Sequence, residues 1–86
     1  MIKVERRGGR ISFEGHADYA PYGYDVVCAA VSGASAALAC VADEDCTDES
    51  GAVQWVDLGE ARATAAMCFF DKIAGAFPRV IQTRSR

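Results

Sequence analysis

Ile2, Val4, Ile11 and Phe13 alternate with polar residues on either side of Arg7-Gly8-Gly9-Arg10. A Gly-Gly pair between two alternating runs marks a tight hairpin, so antiparallel strands are predicted over about 2–6 and 10–14. From Gly15 to Tyr24 the periodicity is lost, and Gly15, Pro21 and Gly23 punctuate what reads as a loop. Asp25 then offers a helix N-cap, and Val27, Val31, Ala34, Leu38 and Val41 recur at steps of three and four, predicting a helix over about 26–42. The acidic run from Asp43 to Glu49 reads as a loop extending to residue 51. Val53 to Leu58 is a strand with apolar residues on both faces, Trp55 among them, which suits a central position. Glu60 opens a second helix whose Ala63, Ala66, Met67, Phe70, Ile73, Ala74 and Phe77 form one apolar stripe, ended by Pro78. Arg79 to Thr83 reads as a short last strand followed by a frayed basic tail. The expected fold is a single α/β domain over 1–86: a small single-layer sheet with two helices, element order ββαβαβ.

Size changes this picture in one respect. A chain of 86 residues falls between lengths that bury about 60% and about 70% of their surface. At ~0.05–0.15 kcal/mol per residue its net stability is about 4–13 kcal/mol. Dimerisation would add to that, and an uncovered apolar face is where it would occur.

Charge excludes one class of partner. The net charge is −3, with the basic residues placed mainly near the two ends, whereas phosphate contacts require a clustered excess of Lys and Arg. No direct nucleic-acid binding is expected. The seventeen uncharged residues from Val26 to Ala42 raise the question of a membrane span. Their alanines, serines and glycine, with a single leucine, answer it in favour of a buried helix, so no membrane partner is expected.

Four cysteines, at 28, 40, 46 and 68, would suggest a disulfide framework in a secreted chain. The N-terminal stretch carries Lys3, Glu5 and three arginines by position 10 and has no apolar signal core. A cytoplasmic protein with reduced thiols is expected. There is no Cys-x-x-Cys pair and one histidine only, which disfavours zinc. In the acidic segment Asp48 stands where an EF-hand turn requires glycine. Neither a metal nor any other cofactor is expected.

Candidate chemistry is concentrated in Gly15–Ser32, which reads GHADYAPYGYDVVCAAVS and holds His16 twelve residues before Cys28. A thiol attacks as thiolate, and a neighbouring imidazole or a helix N-terminus favours that form. If Asp25 caps the helix, Cys28 lies in its first turn beside backbone N–H groups that lack helical partners. Ser32 is one turn further on the same face. Each residue also has a plainer role. Cysteine commonly packs as a small hydrophobe, the reading kept for Cys40, Cys46 and Cys68. His16 could stabilise a turn, Asp25 could only cap, Ser32 could bond back to a helix carbonyl, and Tyr19, Tyr22 and Tyr24 could be ordinary loop packing. Spacing rejects two other thiol chemistries: Ala34 stands where a phosphatase loop needs arginine, and Val31 where a thioredoxin motif needs cysteine. Acyl transfer by a Cys-His pair remains, or no chemistry at all. In the second case the chain would be a non-catalytic interaction module; a redox-sensing thiol is a third reading.

Gly15-His16-Ala17 followed by Tyr22-x-x-Asp25-x-Val27-Cys28-Ala29-Ala30-Val31-Ser32 resembles the signature of the ribosomal-processing cysteine proteases, the Prp family. The resemblance implies a small homodimeric protease that removes the N-terminal extension of a large-subunit ribosomal protein, the one numbered twenty-seven. It implies Cys28 as nucleophile, His16 as general base and acid, and Asp25 or Ser32 in support. It further implies a substrate loop that includes Gly15, Tyr19, Tyr22 and Gly23 and rearranges around the peptide.

Overall fold

The computed structural model describes residues 1–15, 26–47 and 53–86. Within them the chain forms β1 (Ile2–Arg7), β2 (Arg10–Glu14), α1 (Val26–Val41), β3 (Glu44–Thr47), β4 (Val53–Asp57), α2 (Glu60–Ala76) and β5 (Ile81–Ser85). The strands make one open sheet in the order β3-β4-β2-β1-β5. The α/β architecture with two helices is as expected from the sequence, and the strand read in 53–58 does lie in the interior, between β3 and β2.

Two elements depart from expectation. Residues 44–47, read as part of an acidic loop, form the edge strand β3, which pairs antiparallel with β4. Its sequence, Glu-Asp-Cys-Thr, has no hydrophobic alternation; the backbone pairing offered by β4 imposes the extended form, and charged residues suit an exposed edge. The last strand runs from Ile81 to Ser85 instead of starting at Arg79. Residues 78–80 form a turn, in which the Val80 N–H bonds the Phe77 carbonyl at 3.0 Å. Part of the basic tail is thus ordered by parallel pairing with β1, and the Arg86 N–H bonds the Arg6 carbonyl at 2.8 Å.

Register fixes which face carries the core. Val4 lies opposite Phe13, Ile11 opposite Val56, and Ile2 opposite Ile81, so these six share one face. All are buried, and they pack with Val27 and Val31 of α1 and with Ala63, Met67 and Phe70 of α2. Both helices therefore cover the same face. The opposite face carries Glu5, Arg7, Arg10, Ser12 and Trp55, with the Arg10 guanidinium 3.8 Å from the centre of the Trp55 ring. There Glu5 accepts a 2.7 Å bond from Arg7 Nε. That bond, with the nearby charge of Arg86, holds the Glu5 carboxyl below its usual range.

Phe70 is fully buried and meets Phe13 edge-on, with ring centroids 5.3 Å apart. Burying such a ring is worth about 1.5–3 kcal/mol. At the end of α1, Arg62 of α2 donates to the Val41 carbonyl at 2.8 Å and reaches Asp43 at 3.3 Å. A cation thus satisfies a C-terminal carbonyl of α1, where the helix dipole favours positive charge.

Candidate active site

Cys28 is the third residue of α1. The first turn of any α-helix presents N–H groups that have no acceptor one turn earlier, together with the positive end of the helix dipole. Cys28, Val31, Ser32 and Ser35 follow at i, i+3, i+4 and i+7, which places them on one side of the helix. That side turns toward the end of the sheet, and the two enclose a cavity of about 210 Å³. Cys28 is half-buried in its wall.

The other walls come from the strands. Ile2 and Phe13 contribute buried apolar surface with Val31 of the helix, while Glu14, Gly15 and Gln54 bring polar side chains and backbone. Ser35 is itself buried and donates its hydroxyl to the Ser32 carbonyl at 2.9 Å. Ser35 thus bonds back onto the carbonyl of Ser32. The cleft combines a thiol, an apolar floor and polar groups at its rim, the mixture common to ligand-binding clefts.

Gly15 forms the lip of the cavity under two constraints that only glycine meets. Its φ is +94°, a region that L side chains rarely adopt. A Cβ built on it would also run into the carbonyl oxygen of Met1. The backbone of Gly15 is therefore held against the start of β1, beside the cleft that contains Cys28.

Of the residues singled out in the sequence, the structure brings Cys28, Ser32 and Gly15 to one cavity. His16, Tyr19, Tyr22, Gly23 and Asp25 lie outside the described residues. Two cysteines expected to pack as small hydrophobes do not: Cys40 and Cys68 are exposed, because each falls on the solvent side of its helix. Gln54, Ser35 and Glu14 were not anticipated. A signal for Gln54 was available: it shares the strand parity of buried Val56, so a polar side chain occupies a core-facing position of β4.

A helix-borne thiol that opens into a cleft over an α/β sheet fits the class of small cysteine proteases. Residues 1–81 match the family described as cysteine protease Prp, and the chain belongs to that family. No curated protein is significantly similar in sequence. Solved structures are similar in fold. The ribosomal processing protease Prp from S. aureus, in complex with a covalently linked product peptide, shares 18% identity at a TM-score of 0.74, with 100% of each chain covered. The same protease with a substrate peptide gives 16% identity and a TM-score of 0.60, covering 99% of this chain and 97% of that one. SMU.848 from Streptococcus mutans gives 24% identity and a TM-score of 0.69, covering 98% and 94%. These likenesses establish the fold.

Proposed function

We propose that this protease removes the N-terminal extension of a large-subunit ribosomal protein, the one numbered twenty-seven, with Cys28 as nucleophile and His16 as general base and acid. The observation that carries this reading is the position of Cys28. It stands in the first turn of α1 and in the wall of a cavity whose lip is Gly15, the residue covalently joined to His16. The S. aureus protease of the same fold holds a substrate peptide in one structure and a covalently linked product peptide in another.

In the reaction the thiolate sulfur bonds to the scissile carbonyl carbon, and the carbonyl π pair moves onto oxygen. Backbone N–H groups of the helix start offer donors to that oxyanion. As the tetrahedral adduct collapses, the C–N bond breaks and the imidazolium of His16 protonates the departing amine. Water then attacks the thioester and gives its proton to the imidazole. The acid product leaves and the thiolate is restored. Ser32, one turn beyond Cys28, and Asp25, which precedes α1, support the pair. Tyr19, Tyr22 and Gly23 belong to the segment that receives the peptide. The enzyme acts in the cytoplasm as a homodimer, and the exposed apolar groove between α1 and α2 supports the second part of that statement.

The test is cleavage of a synthetic peptide spanning the extension and the mature start, followed by mass. Cys28→Ala is expected to lose at least about 10³-fold in kcat/KM, and His16→Ala to lose turnover with an unchanged melting temperature. Undiminished cleavage by Cys28→Ala overturns the reading.

A further inference from the structure

We propose that Gln54 is a catalytic residue of this cleft, its carboxamide donating a hydrogen bond to the carbonyl oxygen of the scissile bond. The inference rests on the protease reading above and adds to it a residue outside the Gly15–Ser32 segment.

The side chains around the cavity narrow the choice. Ile2, Phe13 and Val31 have no polar atoms. Glu14 is an acceptor when ionised and would repel a developing oxyanion. The Ser35 hydroxyl is already donated to the Ser32 carbonyl at 2.9 Å. Ser32 and Gln54 remain as side-chain donors among the described lining residues. They differ in where they stand. Ser32 shares a helix with Cys28, whereas Gln54 rises from the sheet across the cleft. A carbonyl group entering between the two walls would meet the helix that carries Cys28 on one side and the strand that carries Gln54 on the other.

Strand pairing fixes the backbone from which the Gln54 carboxamide reaches the cleft. It lies opposite Phe13 on β2 and opposite Thr47 on β3, so paired strands fix it from both sides. A donor carried on a fixed backbone is well placed to meet developing charge, and removing an oxyanion donor elsewhere costs about 10²–10³ in kcat. In the step concerned the sulfur lone pair forms the C–S bond, the carbonyl π pair becomes the oxyanion lone pair, and the Gln54 N–H bond stays intact while its hydrogen bond to that oxygen shortens. No proton leaves the carboxamide.

The experiment compares wild type, Gln54→Ala and Gln54→Glu on the synthetic extension peptide, on a peptide aldehyde of the sequence preceding the cut, and on methyl methanethiosulfonate. The last modifies the thiol without involving a carbonyl. Gln54→Ala is expected to lower kcat about 10²–10³-fold with KM changed little, and to weaken aldehyde binding by a similar factor, since the hemithioacetal resembles the tetrahedral adduct. Gln54→Glu should lose at least as much at neutral pH, because a carboxylate accepts where a donor is needed. Thiol modification and melting temperature should match wild type in both variants. Full turnover and full aldehyde affinity in Gln54→Ala overturn the proposal, as does a loss that is matched by slower thiol modification or a lower melting temperature. Should wild type leave the peptide uncut yet bind the aldehyde, the ribosomal substrate is wrong while the aldehyde series still decides Gln54. A wild type that neither cuts the peptide nor binds the aldehyde overturns both.

Discussion

Phe70 connects the stability of this chain to the shape of its cleft. Its ring is fully buried and meets Phe13 edge-on, and Phe13 in turn lies in the floor beneath Cys28. Phe70→Ala is expected to cost about 3–5 kcal/mol, a large part of the ~4–13 kcal/mol that a chain of this length holds at ~0.05–0.15 kcal/mol per residue. Urea denaturation of the variant would measure it, and a loss below about 1 kcal/mol would mean that the core closes over the gap. The apolar residues themselves were legible: Ile2, Val4, Ile11 and Phe13 alternate and are all buried. The cysteines were legible only in part. Composition gives the same prior to each, and it is the turn of the helix that exposes Cys40 and Cys68 while setting Cys28 in the cavity wall.

Elements were readable where their own residues decide them, and unreadable where a neighbour does. The hairpin and both helices carry their periodicity in sequence, and β4 is marked by its apolar run. The strand β3 does not, since four residues reading Glu-Asp-Cys-Thr are extended by pairing with β4. Contact between the hairpin turn and the start of α2 was likewise hidden. The Leu58 N–H bonds the Gly9 carbonyl at 2.8 Å, and a Cβ on Gly9 would stand 2.7 Å from the Gly59 Cα. That atom is backbone, so either the turn or the entry to α2 must shift. Gly9→Ala is expected to destabilise by about 1–3 kcal/mol, the usual range for a group forced into filled space. Gly33→Ala, in α1 where a Cβ meets nothing within 4 Å, should instead be neutral or stabilising by up to about 1 kcal/mol. The two thermal melts, compared with wild type, check the pair, and equal midpoints would show that the close approach at Gly9 does not constrain the fold.

At the scale of the whole molecule, both helices lie on one face of the sheet, and their outer surfaces meet in an apolar groove of about 200 Å³. Ala34, Ala37, Leu38, Ala66, Phe69 and Phe70 line it, and Phe69 remains 46% exposed. The small side chains of Ala34, Ala37 and Ala66 leave room for another surface to approach closely. A second copy of the chain seated there would add to the modest burial of an 86-residue domain, and the homodimer proposed above is tested at this groove. Phe69→Lys places a charge at its centre. In the folded monomer the change forfeits an edge-on contact with Phe70, whose ring lies 5.3 Å away, at a cost of about 0.5–1.5 kcal/mol. The variant should therefore still melt cooperatively, yet sediment with the mass of one chain at concentrations where wild type sediments as two. Wild type with the mass of one chain at high concentration would remove the homodimer, and a Phe69→Lys protein that kept the mass of two would move the interface elsewhere.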